Sequence, residues 1–135
     1  MRARLDMCEA KGFDAVEFDN VDGFDNRSGW PLRGRHQLRF NRFLTSAAHH
    51  RGLAAGLKND LSQIRALVGD FDFAINEQCW QYRECGKLRP FTRAGKAVFN
   101  VEYRLERSDF CDRTFEHGFG SIRKRLSLRV WLRAC

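Results

Sequence analysis

Within "AVEFDNVDGF", Ala15 to Phe24, an apolar run gives way to three carboxylates, Glu17, Asp19 and Asp22. The pattern returns three times. Lys58, Asn59 and Asp60 follow "LAAGL", Asn76, Glu77 and Gln78 follow "FDFAI", and Asn100 and Glu102 close "KAVFNVE". Carboxylates at the ends of apolar strands are the equipment of glycoside hydrolysis, in which one acts ionised as nucleophile or base and the other acts protonated as acid. Some of these residues have plainer roles open to them. Asp60 is placed to cap the next helix, and Lys58 is either a surface lysine or the partner of a carboxylate. Glu77 follows "FDFAIN" directly, where burying a charge without purpose is costly. Side chains alternate along a strand, so Glu17 and Asp19 share one face while Val16 and Phe18 share the other. No Ser-His-Asp set, phosphate loop or GxGxxG stands beside these clusters.

The elements that must carry them alternate. "RLDMCEAKG" has Leu5 and Cys8 at helical spacing and stops at Gly12, and "FDAVEFDN" is a strand. A loop from Val21 to about Pro31 leads to the helix "QLRFNRFLTSAAHHRG", with Phe40, Phe43, Leu44 and Ala47 on one face. "LAAGLKND" is the next strand, and "DLSQIRALVGD" is a short helix with Leu61, Ile64, Leu67 and Val68 as its buried stripe and Asp60 as N-cap. "FDFAINEQ" is a strand, "CWQYREC" a braced loop, and a helical piece over Pro90 to Ala94 closes at Gly95. "KAVFNVEY" is a further strand, "GSIRKR" is the last, and "LSLRVWLRAC" is an amphipathic tail. About five strands alternating with helices mean parallel strands covered by helices. A compact doubly wound sheet fits the 135 residues, whereas a closed eight-stranded barrel needs about 250.

Composition narrows the function classes. Apolar residues make up 43% of the chain and aromatic residues 13%, which supports a packed core. The formal charge of +7 raises the question of nucleic acid, but the basic residues are scattered, with only "RKR" (Arg123 to Arg125) clustered, so no nucleic-acid partner is expected. No apolar run reaches the roughly 18 residues of a span, and a membrane partner is not expected. "MRARLDMCEAKG" does not have the form of a signal peptide. Among the cysteines, no CxxC pair occurs, and His36, His49, His50 and His117 lack paired-ligand spacing, so neither metal nor cofactor is expected. Disulfides Cys79–Cys85 and Cys111–Cys135 with Cys8 left over fit the spacing better, and point to an oxidising compartment.

Taken in order, "GFDAVEFDNVDGF", "GLAAGLKND", "FDFAINEQCWQYREC" and "AGKAVFNVEY" resemble glycoside hydrolase family 114, from about Arg4 to Cys135. The resemblance implies a TIM-barrel endo-α-1,4-polygalactosaminidase acting on galactosamine-containing polysaccharide outside the cell. It implies that Asp19 is the nucleophile and Glu77 the general acid/base. Glu17, Asn20, Asp22, Lys58, Asn59, Asn76, Gln78 and Glu102 would line the pocket, with Trp80 or Tyr82 stacking on a sugar ring. Carboxyls of Asp19 and Glu77 at about 5–5.5 Å would mean retention, and roughly 6.5–9.5 Å inversion. It also implies further βα units upstream in other members, so that residues 1–135 form a single truncated domain, about the last five βα units of a (β/α)8 barrel. An open half-barrel exposes strand edges through which the chain would self-associate. The alternative is a non-catalytic carbohydrate-binding or vestigial fragment.

Overall fold

Short apolar strands, the first four each followed by a helical segment, build both halves of the chain in the computed structural model, which describes residues 1–135. The chain divides into two compact units, Met1–Asp72 and Phe73–Cys135. In the first, helix α1 (Arg2–Ala10) leads to strand β1 (Ala15–Phe18), a 3-10 turn at Gly23–Asp25, helix α2 (Gly34–His49), strand β2 (Ala54–Lys58) and the single turn α3 (Ile64–Leu67). Strands β1 and β2 are parallel, in register from Ala15 against Ala54 to Phe18 against Leu57. Phe18, Leu44, Leu57, Ile64, Leu67 and Phe71 form the core of this unit. Arg51 just beyond α2 anchors α1 through Asp6, 2.6 Å away.

The second unit runs β3 (Phe73–Glu77), a 3-10 turn at Cys85–Leu88, α4 (Arg89–Arg93), β4 (Val98–Glu102), α5 (Arg107–His117), β5 (Gly120–Lys124) and β6 (Leu132–Ala134). Strands β3, β4 and β5 are parallel neighbours, and β6 returns antiparallel on β5. Disulfides join Cys79 to Cys85 and Cys111 to Cys135, leaving Cys8 as a thiol, in agreement with the spacing. Cys111 lies on α5 and Cys135 follows β6, so this bridge ties the chain's last strand to a helix. Replacing both cysteines with serine should cost about 3.5 kcal/mol of stability, the loop-closure term for a loop of that size, measured by denaturant unfolding with and without reductant.

Four expectations are corrected. The stripe of α2 that turns inward is Gln37, Asn41, Leu44, Thr45, Ala47 and Ala48; Phe40 and Phe43 are 46% and 41% exposed and stack on each other. Helix periodicity alone favours the phenylalanines, but Asn41 has partners inside that fix the rotation of the helix. Helix α3 is one turn, with Leu61 and Val68 only half-buried beside Ile64 and Leu67. Helix α5 is an element the pattern did not reveal, because Phe110 and Thr114 are its only buried residues. Its capping pair was readable: Glu106 and Asp109 bond reciprocally at the N-terminus, and Gly118 ends it in the left-handed region at φ 70°. Finally, β5 is not the last strand; part of the expected amphipathic tail is the edge strand β6.

Candidate active site

The first unit places two polar strand ends side by side. Phe18 and Leu57 are the last registered pair, so the residues that follow them, Asp19 and Lys58, are neighbours. Lys58 Nζ donates to Asp19 Oδ1 at 3.0 Å, and Asn20 Nδ2 donates to Oδ2 at 3.2 Å. The lysine side chain is 12% exposed and the aspartate 64%, so a mostly buried cation presents an accessible carboxylate. The Lys58 hydrogen bond, reinforced by its charge and opposed by partial burial, holds the Asp19 carboxyl below the usual carboxylate range. Lys58→Met should move the Asp19 titration to higher pH, observed by carboxyl-carbon NMR. An unmoved titration would mean that the pair does not persist in solution.

Glu17 shares the exposed face with Asp19, while Phe18 points into the core. Asp22 is half-buried at the start of the 3-10 turn. After the first three strands the backbone turns left-handed at a residue that is not glycine: Asn20 (φ 56°) after β1, Asn59 and Asp60 (φ 52° and 44°) after β2, and Gln78 (φ 64°) after β3. Asn and Asp tolerate this region because short polar side chains bond locally; glutamine has no such advantage. Such strain persists only where the surroundings impose it, and it gathers at functional sites.

The turn at Asn59 and Asp60 sends the Asp60 side chain inward. Its carboxyl is 2% exposed and accepts from Asn41 Nδ2 at 3.0 Å. Asn41 Nδ2 also donates to the Val21 carbonyl, and Asn41 Oδ1 accepts from Gln37 Nε2 at 2.9 Å, so the buried face of α2 locks the loop after β1 to the loop after β2. Asp60 is therefore no helix cap: position N-cap of α3 is Gln63, and only the Asp60 backbone carbonyl serves the turn. Burial, with Asp22 and Asp25 adding like charge and Asn41 opposing, pushes its pKa up to about 7.

In the second unit Glu77 ends β3 and accepts a hydrogen bond from the Tyr103 hydroxyl, one residue beyond β4. In the sequence the one signal for Tyr103 is its position directly after Glu102 at a strand end. Gln78 N–H donates to the Val101 carbonyl and its side chain donates to Gln81 Oε1, both within 2.9 Å, which fixes the start of the disulfide-bridged loop.

Three residues expected to meet sugar do not reach the surface. Glu102 is fully buried and accepts from the Trp80 backbone N–H at 2.9 Å and from Asn100 Nδ2 at 3.2 Å. Burial raises its pKa, against the Trp80 and Asn100 hydrogen bonds and the Arg113 charge. It holds the loop after β3 from beneath. Asn76 is 1% exposed, registered against Asn100 on β4. Trp80 is 7% exposed: its Nε1 donates to Thr114 Oγ1, His117 meets it edge-on at 4.9 Å, and the Arg113 guanidinium covers it. An indole so enclosed packs α5 against the loop and offers no face to a sugar. Tyr82, 60% exposed, is the aromatic available for stacking. Glu17, Asp19, Asn20, Asp22, Lys58, Asn59, Glu77 and Gln78 are at least partly exposed.

Parallel strands with helical connections and acidic, amide-rich strand ends define the α/β class, here a partial (β/α)8 TIM barrel. The chain belongs to glycoside-hydrolase family GH114, whose sequence profile matches residues 1–135. Its structure is similar to that of Aspergillus fumigatus Ega3 in complex with galactosamine, with 36% identity and a TM-score of 0.93 over 100% of this chain and 59% of that one. The glycoside hydrolase domain of PelA from Pseudomonas aeruginosa shares the fold at a TM-score of 0.67 and 13% identity, over 98% of this chain and 61% of that domain. No curated protein sequence matches it. The chain thus spans less than two thirds of the solved structures it resembles.

Proposed function

We propose that this chain is the strand-end portion of an endo-acting glycoside hydrolase that cleaves α-1,4-linked galactosamine polysaccharide with two carboxylates. The observation that carries this reading is Asp19, accessible yet ion-paired with the mostly buried Lys58. A nucleophilic carboxylate must be ionised and reachable at once, and this pairing provides both. In this reading Asp19 is the nucleophile. Glu77, bonded to the Tyr103 hydroxyl, is the general acid/base. Glu17, Asn20, Asp22, Asn59 and Gln78 bind sugar hydroxyl and amino groups, and Tyr82 stacks on a ring. A galactosamine polymer is partly cationic, and the carboxylates at these strand ends suit it although the chain as a whole carries +7. The two disulfides suit an extracellular setting.

The test is release of reducing ends from deacetylated α-1,4-galactosamine polymer by the purified chain. Because the chain spans 59% of Ega3, a second reading is kept: the same surface binds the polymer without turnover. Retained binding with no new reducing ends would establish that reading. Neither binding nor cleavage would overturn both. In the same assay, Glu77→Gln should lower the rate by about 10²–10⁴-fold on the natural polymer. The loss should be much smaller on an aryl glycoside, whose acidic phenol leaves without a proton.

A further inference from the structure

The end of the second unit concentrates positive charge. No acidic residue follows Glu116, whereas Arg123, Lys124, Arg125, Arg129 and Arg133 fall between positions 123 and 133, in a chain whose net charge is +7. These residues lie on β5, β6 and the turn joining them. The turn has a defined shape: Lys124 Nζ donates to the Arg129 carbonyl at 2.7 Å, and Leu128 N–H to the Arg125 carbonyl at 2.9 Å.

What this turn exposes is unusual for a surface facing only water. Leu126, Leu128, Val130 and Leu132 are 67%, 60%, 95% and 47% exposed. Leu128 is also held in the left-handed region at φ 53°, an outlier for a bulky aliphatic side chain. Beside this aliphatic tip lies Trp131, with the guanidinium groups of Arg125, Arg123 and Arg133 at 4.8, 5.9 and 5.9 Å from its ring. Arg123 is additionally paired with Glu106 on the N-terminal side of α5, which fixes the base of the hairpin.

Single exposed aliphatics need no explanation, but four together within a basic and tryptophan-bearing turn do. A soluble polyanion would neutralise the arginines and leave the leucines in water. A lipid surface satisfies every part. The aliphatic tip enters the boundary of the acyl chains, the indole sits at headgroup depth, and the arginines meet anionic headgroups. We propose that the β5–β6 turn docks this protein onto an anionic lipid surface, with Leu126, Leu128 and Val130 inserted and Arg125, Arg129 and Arg133 on the headgroups. The turn leaves the C-terminal end of β5, on the same strand-end edge of the second unit as Glu77, and the proposal rests on the turn's own residues, not on the strand-end carboxylates.

The experiment is co-sedimentation of the full chain with sucrose-loaded vesicles of phosphatidylcholine alone or with phosphatidylserine, at low and high salt. Binding should require phosphatidylserine and weaken with salt. Arg125→Gln with Arg129→Gln should reduce it about 30-fold, near fivefold per charge. Leu126→Ser with Val130→Ser, which leaves the charge unchanged, should reduce it more than about tenfold. Both pairs are on the exposed turn, and an unchanged near-UV circular dichroism spectrum confirms that each variant is folded. Failure to sediment with phosphatidylserine vesicles, or equal sedimentation with phosphatidylcholine alone, would overturn the proposal. So would wild-type binding by the serine pair together with full competition by heparin, which would identify a polyanion site instead.

Discussion

Asp19→Asn should abolish turnover of the galactosamine polymer, lowering the rate on the order of 10⁴-fold or more, while polymer binding changes by no more than a few-fold. The reason lies in the pairing with Lys58. The amide has the shape of the carboxylate and still accepts from Lys58 Nζ, so the strand ends keep their positions. What is lost is the negative charge that attacks or stabilises the anomeric carbon. The cost therefore falls on the rate and spares affinity. Reducing-end assays and isothermal titration of the same preparation separate the two. An Asp19→Asn chain that cleaved at a tenth of the wild-type rate would remove Asp19 from the chemistry.

Asp60→Asn should stabilise the protein at pH 8 by about 4 kcal/mol relative to wild type and change little at pH 4. The sign follows from where the protons are. In the unfolded chain Asp60 titrates near its ordinary 3.8, and in the folded protein near 7. Between these values the folded state holds the extra proton, so wild-type stability falls as pH rises through that window and levels off above it. The asparagine carries no charge to bury, and its carbonyl oxygen still accepts from Asn41. Denaturant midpoints at pH 4, 6 and 8 measure the effect. A variant that is less stable than wild type at pH 8 would show that ionised Asp60 is compensated in the folded state. This carboxyl bridges the loops after β1 and β2, so the same window should govern how firmly Asp19 and Lys58 are presented.

The alternation of apolar strands and helices was legible because it follows from burying one face of each element, and that requirement is written in residue type and period. The polar strand ends were legible for the same reason: a carboxylate directly after an apolar run stands out whatever the fold. So were Cys79–Cys85 and Cys111–Cys135, with Cys8 left out. Helix α5 escaped because only Phe110 and Thr114 on it are buried, too few to make a stripe.

Which of the polar residues face outward was decided by tertiary structure. Asn41, on a helix whose period puts the neighbouring phenylalanines on the apolar stripe, is fully buried because the Val21 carbonyl and the Asp60 carboxyl accept from its amide. Asn76 on β3 and Glu102 on β4 stand in strand-end clusters as Glu77 does, yet both are buried, and Glu102 accepts from the Trp80 backbone and the Asn100 amide. Trp80 and Tyr82 are two residues apart, and only the second keeps an open face, because Thr114, His117 and Arg113 enclose the first. Residue type says that a side chain must find partners. Whether those partners are protein or ligand depends on what the rest of the chain brings within hydrogen-bonding distance, and that is a property of the packed molecule alone.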